Sequence, residues 1–447
     1  MSFVSSRTRS KSDQDEVHVR RHRPDYWIVV AAIFLVVIGL TVVYAISPAL
    51  SVTTGTPGSH YVLRQLLAIA LSAVAFTVAA KVPIHTWRRL QRPLLVAAAV
   101  GTLLALITPV IPQYPAHRWI RLGGLSFQSV EAVKFALLIW LASFFAVRMR
   151  EGTLGNRKLT LQPLVVLIVI VGVAIAGIQS DFGSTVVIMA MMAAMAFLVG
   201  MPMKRLVMIG GVLIIGAVLA ISATPYRRER LLTFLHPASN CLTTGYQACQ
   251  ALISVGSGGI SGLGLGQNVQ AYGYLPEAQD DSIFAIYAEK FGFIGAVVML
   301  GLFITLFARL RLIIERTQDT FSRLVVMGIL AWLSVQMVIN VGAMIGLLPL
   351  KGITLPLVSY GGTSVLSVGA ALGLVFQISR YTSFSSRNIE RRSTRTSGHP
   401  QTLSLFPDRT SDTRRHELPN RSPVRGRGAS AVRRTTYAAD NMEEDVT

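Results

Sequence analysis

Long apolar runs separated by short polar breaks dominate the chain between residues 27 and 380. A helix needs about 20 apolar residues, at about 1.5 Å each, to cross the roughly 30 Å hydrocarbon layer of a bilayer. Ten runs approach that length: 27–47, 61–81, 93–111, 130–148, 162–180, 182–200, 206–223, 283–308, 323–347 and 363–380. The fifth and sixth nearly touch at Gln179-Ser180-Asp181, which predicts a tight turn. The first run follows 26 polar residues and lacks a small-residue cleavage pattern, so it reads as a retained helix and not a cleaved leader. One break differs from the rest. Residues 224–282 run between the seventh and eighth segments with apolar stretches and many glycines, which predicts a partly ordered loop against the membrane surface. The pattern therefore predicts an all-α polytopic membrane protein of about ten transmembrane helices, with one large loop between helices 7 and 8.

Composition narrows this further. Of 447 residues, 52% are hydrophobic and 14% charged, where soluble domains carry roughly a quarter charged residues. The tails at 1–26 and 381–447 hold much of that charge and are rich in Arg, Ser, Thr and Pro, so both are expected to be disordered. The stretch between them has too few charges to coat a soluble core, which excludes a water-soluble enzyme, a nucleic-acid-binding domain or a disordered protein as a reading of the whole chain. The net charge of +20 is explained by location instead. With the N-terminus inside, the cytoplasmic loops hold Lys81, Arg88, Arg89, Arg92, Arg148, Arg150, Arg157, Lys158, Lys204, Arg205, Arg309, Arg311, Arg316 and Arg323, against only Glu151, Glu315 and Asp319. Positive charge favours the cytoplasmic side, so both termini are expected there. Basic tails there would also touch anionic membrane lipid.

The remaining acids of the membrane portion are Glu131, Asp181, Glu229, Glu277, Asp280, Asp281 and Glu289. In this topology all seven fall at the outer face or in the outer half of a helix. Intramembrane charge is costly and usually functional, so their gathering on one side predicts an outward-facing site; Glu229 reads as simply solvated. Glu131 and Lys134 are three apart and share a helix face, which suits either a structural ion pair or a contact to a polar substrate group. Gly258–Gly266 reads Gly-Gly-Ile-Ser-Gly-Leu-Gly-Leu-Gly; it fits a re-entrant or flexible loop, or a phosphate cradle, but no dinucleotide fingerprint. Cys241 and Cys249, the two cysteines, share the outer loop, where a disulfide or free thiols are both allowed.

Several motifs stand in order along residues 27–381. They are His117-Arg118-Trp119-Ile120, Leu125-Ser126-Phe127-Gln128, Glu131-Ala132-Val133-Lys134 and Gln179-Ser180-Asp181-Phe182-Gly183-Ser184-Thr185. Then come Gly245-Tyr246-Gln247, Ser257-Gly258-Gly259, Gly262-Leu263-Gly264, Leu275-Pro276-Glu277, Asp281, Ile283-Phe284-Ala285 and Ala288-Glu289. Asn340, Gly346-Leu347-Leu348-Pro349, Lys351-Gly352 and Pro356-Leu357-Val358-Ser359-Tyr360-Gly361-Gly362-Thr363-Ser364 close the series. In this order the set resembles the SEDS family (shape, elongation, division and sporulation), the FtsW/RodA group of bacterial membrane glycosyltransferases. The chain departs from the family pattern at Ser129-Val130-Glu131, where Pro-Ser-Glu is usual, and at Ser180 and Phe182 in a Pro-Asp-Leu-Gly turn. It departs again at Gln279-Asp280-Asp281 in place of His-Thr-Asp, and at Lys290 in place of a second Glu.

The resemblance implies a substrate, lipid II (a disaccharide-pentapeptide on undecaprenyl pyrophosphate), and its polymerisation into glycan strands at the outer face of the bacterial cytoplasmic membrane. Such chemistry needs a lipid groove, a base for the attacking sugar hydroxyl and cations for the leaving pyrophosphate. Asp281 is the implied base; the Asp280-Asp281 doublet leaves a one-residue ambiguity that alignment on Ile283-Phe284 resolves toward Asp281. Glu131, Lys134, Glu289, Glu277 and Ser359 would shape the site. Arg118 and Lys351 would hold pyrophosphate, with an interface anchor beside Trp119 as the other reading of Arg118. A divalent cation, magnesium or manganese, would serve the same end, held by carboxylates and phosphate oxygens. The implied partners are a single-pass class B penicillin-binding transpeptidase and other division proteins, with no nucleic acid. The tails and motif wording favour a division-type enzyme at the septum over an elongation-type one. A lipid flippase and a non-catalytic scaffold are the rival classes; a flippase needs charges through both leaflets, and a scaffold needs neither Asp281 nor Glu131.

Overall fold

The computed structural model describes residues 23–108, 118–122, 125–222, 234, 241–243, 245–266 and 269–382. Nearly all of both tails, His117, Glu229 and most of 223–240 lie outside the described residues. Eleven helices and one hairpin are described: α1 Tyr26–Thr54, α2 His60–Lys81, α3 Ile84–Ile107, β1 Trp119–Leu122, β2 Leu125–Gln128, α4 Ser129–Arg150, α5 Arg157–Ile178, α6 Phe182–Leu198, α7 Met203–Ser222, α8 Tyr246–Ser257, α9 Ile283–Arg316, α10 Thr320–Met344 and α11 Gly362–Ile378. Eight of these, α1–α5 and α9–α11, are long and apolar enough to cross a membrane. The 17-residue α6 is shorter, and α7 falls on the seventh predicted segment.

The predicted segments land on these helices, but the ends shift. α3 begins at Ile84 and takes Arg88, Arg89 and Arg92 into its first turns; α9 runs on to Arg316 and so contains Arg309 and Arg311. These arginines sit in helix ends and not in loops, because a long side chain can carry its charge to the surface from a helix end. α5 opens and closes with π-turns at Arg157–Leu161 and Gly172–Ile178.

Helices α4, α10 and α11 form the centre. Trp332 of α10 is fully buried, with Leu138 of α4 and Met191 and Met195 of α6 around Gly328 one turn away. α2 packs on α11 through small residues: Ser72 Oγ donates to Val365 O at 2.8 Å, and Gly369 and Gly373 let the backbones meet. Small residues serve this purpose where lipid removes the ordinary hydrophobic drive between helices.

Polar contacts mark the two ends of the bundle. At one end Asp25 caps α1, pairs with Arg309 (2.6 Å) and receives its place from Ser379, whose Oγ accepts from Asp25 N; Arg88 faces Asp319 at 3.7 Å. At the other lie Asp281, Ser359 and the Tyr61–Tyr360 ring pair. At the first of these ends basic side chains meet acids, Arg309 with Asp25 and Arg88 with Asp319.

α9 is broken. Gly292 has φ +65° and ψ −162°, so Ile283–Phe291 is a separate segment from the helix beyond. A break strands backbone groups that a bilayer cannot satisfy. The glycine-rich segment 258–264 satisfies them. Leu263 N and Gly264 N donate to Glu289 O and Lys290 O (2.9 and 3.0 Å), while Phe293 N and Ile294 N donate to Gly259 O and Ile260 O (2.9 and 3.1 Å). A Cβ on Gly262 would overlap the Lys290 carbonyl, and one on Gly292 would overlap Gly262 N, so only glycine allows this backbone approach. The Gly258–Gly266 motif is thus a clasp on α9, with the N–H groups of Gly259, Gly262, Leu263 and Gly264 given to protein carbonyls.

Candidate active site

The segment Leu275–Ser282 turns sharply before α9. Glu277 has φ +50°, and its carbonyl accepts from Asp280 N (3.0 Å) and Ser282 N (3.2 Å). This wraps three carboxyls, Glu277, Asp280 and Asp281, around one short turn. Two neighbours fix it from outside. Asn340 of α10 donates from one Nδ2 to both Asp281 O and Ile353 O, each at 2.7 Å. Ser359, in the loop between α10 and α11, donates from Oγ to Asp280 O (2.6 Å) and accepts from Leu355 N (2.7 Å), and Tyr360 N donates to Gln279 O (2.9 Å). The same loop brings Gly352, with φ +65°, to the acid: a Cβ there would lie 3.8 Å from Asp281 Oδ2.

The carboxyls are not alike. Asp281 is 8% exposed. Burial, and then the charge of Glu277, push its pKa up to about 7, against the opposing pull of hydrogen bonds from Gln247 and Ser282. Asp280 is driven well above the carboxylate range by burial, then by Glu277 and Asp281, and it shares a hydrogen bond with Glu277. Burial and the neighbouring carboxyls thus push both acids upward, and Asp281 is the carboxyl brought to near neutrality.

Glu131 and Lys134 form a buried ion pair. Lys134 Nζ donates to Glu131 Oε1 (2.7 Å) and to Gln336 Oε1 (3.1 Å), and lies 5.0 Å over the Trp332 ring. Gln336 also accepts from Trp332 Nε1 (2.7 Å) and donates to Thr354 O (2.9 Å). Gln336 and Asn340 are four apart on one face of α10 and grip the neighbouring residues Thr354 and Ile353. One polar seam therefore runs from the α4 pair to the backbone of Asp281. Glu131 Oε2 and Asn340 Oδ1 are buried along it without a protein partner.

The other predicted residues have separate places. Arg118 donates from Nε to Gln179 O (2.9 Å) and from Nη2 to Ser180 O (2.6 Å), capping the end of α5, so these donors hold backbone. Lys351 lies 5.8 Å over the Phe182 ring, beside Gly352. Asp181 caps α6 by accepting from Ser184 N and Oγ (3.0 and 2.9 Å). Glu289 accepts from Val269 N (3.2 Å) and Gln270 N (3.5 Å), and Ser254 Oγ lies 3.2 Å from its other oxygen, so it fastens α8 and the 269–270 segment onto α9. Cys241 and Cys249 are joined in a disulfide.

Among the described residues no three His, Cys, Asp or Glu side chains are placed together to hold a metal ion. A cavity of about 610 Å³ opens between α1, α2 and Leu265, Gly266 and Tyr272. Neither Asp281 nor Glu131 lines it, and its size alone does not make it the reacting site. Two groups went unremarked in the sequence. Arg64, exposed one turn into α2, is hydrogen-bonded to Tyr360 at the Asp280 turn. Gln336 sits in the middle of α10. The available signal was a charge or an amide inside an apolar run.

Residues 26–384 match the model of the FtsW/RodA/SpoVE family, described as cell cycle protein. The chain is 37% identical over 363 residues to a probable peptidoglycan glycosyltransferase FtsW of Coxiella burnetii, covering 79% of this chain and 95% of that one. It is 33% identical to the stage V sporulation protein E of Bacillus subtilis, covering 82% and 99%. A solved chain from a peptidoglycan synthase complex, studied for the coordination of polymerization and crosslinking, superposes with a TM-score of 0.63 at 26% identity, over 80% of this chain and 99% of that one. The rod shape determining protein RodA of Thermus thermophilus shares the fold, with a TM-score of 0.56 at 24% identity over 80% and 97%. This multi-pass membrane protein therefore belongs to the FtsW/RodA/SpoVE family of cell cycle proteins.

Proposed function

We propose that the chain is a peptidoglycan glycosyltransferase that polymerises lipid II during septal wall synthesis, with Asp281 as its base. The observation that carries this is the state of the turn before α9. Asp281 sits near pKa 7 with a hydrogen-bond donor aimed at it, while burial and Glu277 push Asp280 upward beside it. A general base works best with a pKa near the operating pH, where its contribution is about 10²–10⁴ in rate. The carboxylate of Asp281 takes the proton of the acceptor GlcNAc 4-hydroxyl. That oxygen bonds to the donor MurNAc anomeric carbon as the bond to the pyrophosphate oxygen breaks, and undecaprenyl pyrophosphate leaves with the electron pair. Lys351, on the loop that brings Gly352 to Asp281, is one cation for the leaving pyrophosphate, and Arg118, whose Nε and Nη2 hold the end of α5, is the other.

The site faces outward in this reading, with both termini cytoplasmic and α6 and α7 completing ten spans. The Cys241–Cys249 bond supports that orientation, because disulfides persist on the oxidising side of the membrane. The relatives named for glycosyl transfer, and the likeness to a chain from a synthase complex, support a transpeptidase of the class B penicillin-binding type as partner. A flippase is disfavoured because the acid-rich turn and the basic helix ends occupy opposite ends of the bundle.

Purified protein in lipid, supplied with lipid II and the transpeptidase, is expected to make glycan chains detectable by gel. Asp281→Asn should abolish them while leaving the thermal unfolding transition in place. Wild-type polymerisation by that variant would remove the mechanism.

A further inference from the structure

We infer that Gln247 positions the Asp281 carboxylate and that the Cys241–Cys249 disulfide keeps Gln247 where it can do so. The inference rests on Asp281 being the base. Gln247 lies in the first turn of α8, inside the ring of residues that the disulfide closes between positions 241 and 249. Its Nε2 is 3.4 Å from Asp281 Oδ1 and 3.2 Å from Ser282 Oγ. Ser282 Oγ is also 3.4 Å from Oδ1, but it lies 3.0 Å from Pro276 O. A hydroxyl has one proton to give, and the nearer carbonyl takes it. The amide has two, one for Ser282 Oγ and one for the carboxylate. Gln247 and Ser282 both lie within reach of the carboxylate, and Gln247 is the one that can serve it without giving up another bond.

The other groups facing that carboxylate do not replace it. Glu277 and Asp280, on the same turn, act on it by charge. Asn340 of α10 grips the Asp281 backbone and leaves the carboxylate free to rotate. The loop from α10 to α11 presents Lys351, the bare backbone of Gly352, and Ser359, whose hydroxyl is spent on Asp280 O.

α8 depends on its fastenings. It has 12 residues, a length at which an isolated helix is marginal in water. Ser254, two turns on, anchors its far end against Ala285 O (3.0 Å) and Glu289. At the near end Gly245 offers no side-chain cap, and Cys249 is buried with its sulfur tied to Cys241. First turns fray when uncapped, and Gln247 is in the first turn. The disulfide is the covalent stop against that fraying.

The experiment measures lipid II polymerisation by the full-length protein with its transpeptidase across pH 5.5–9, for Gln247→Leu, Gln247→Glu, Cys241→Ala/Cys249→Ala, and the triple variant with Gln247→Leu. Thermal unfolding is followed for each. Loss of a donor to the charged form raises an acid's pKa, so Gln247→Leu should move the acidic limb of kcat/KM up by about one pH unit. Gln247→Glu, which adds a facing carboxylate, should move it further. At neutral pH Gln247→Leu should lower kcat about tenfold, within the range a misaligned base forfeits, with KM little changed. The cysteine pair should shift the limb the same way, and the triple variant should add nothing to Gln247→Leu. An unmoved limb in the folded leucine variant, or full additivity in the triple, overturns the inference. Activity retained by Asp281→Asn would instead fell the base assignment itself, and the two failures are told apart by that one variant.

Discussion

At the residue scale the environment of Asp281 sets a measurable pH dependence. The base acts as a carboxylate, so activity should be lost as pH falls through about 7 and be full a unit or two above it. A kcat/KM profile with an acidic limb near pH 4 would mean that the reacting base is an ordinary solvated carboxyl. Asn340 is the other residue to test. Asn340→Leu strips the donor from Asp281 O and Ile353 O, both buried, and each unsatisfied group costs about 1–3 kcal/mol. The expected result is a lowered unfolding temperature in detergent, together with a fall in kcat because the Asp281 turn loses its support from α10. The acids themselves were legible in the sequence, since charge in an apolar run stands out. How the turn shifts each acid was not. That depends on Glu277 folding back at φ +50° to face Asp280, a conformation no spacing rule dictates.

At the element scale two joints matter. The buried Glu131–Lys134 pair links α4 to Gln336 of α10. Removing one member of a buried pair strands the other and costs about 3–5 kcal/mol. Glu131→Gln should therefore destabilise strongly, and Glu131→Gln/Lys134→Met should recover part of the loss in a thermal-shift measurement. The second joint is the glycine clasp on α9. Gly262→Val inserts a side chain into the Lys290 carbonyl at a φ of +82°, so the segment should detach and expose its backbone to protease while the remaining helices stay folded. The helices were legible because about 20 apolar residues in a row leave little choice in lipid. The break at Gly292 was not, because a lone glycine in a helix is usually tolerated. What makes it a break is the arrival of 258–264 with donors and acceptors for the stranded backbone. The β1–β2 hairpin also went unseen. It pairs Trp119 with Gln128 across only four residues per strand and is stapled to α11 by Thr363, which accepts from Gln128 N at 3.2 Å.

At the scale of the whole molecule the orientation is the central expectation. In intact cells a membrane-impermeant thiol reagent should label Tyr274→Cys and miss Gln318→Cys; the native cysteines are paired and silent. The reverse pattern would put the acid-rich turn in the cytoplasm, where lipid II polymerisation at the outer face is impossible. The sequence by itself determined the membrane class, the positions of most helices and the concentration of acids in a few stretches, because each follows from local hydropathy and charge acting on the chain wherever it lies. Only the tertiary structure decided which polar groups meet. Asp281, Gln247, Asn340 and Gly352 are scattered over more than a hundred residues and come from four different parts of the chain. Their meeting is fixed by helix packing and by the need of every buried amide, carboxyl and broken-helix carbonyl to find a partner where water is absent.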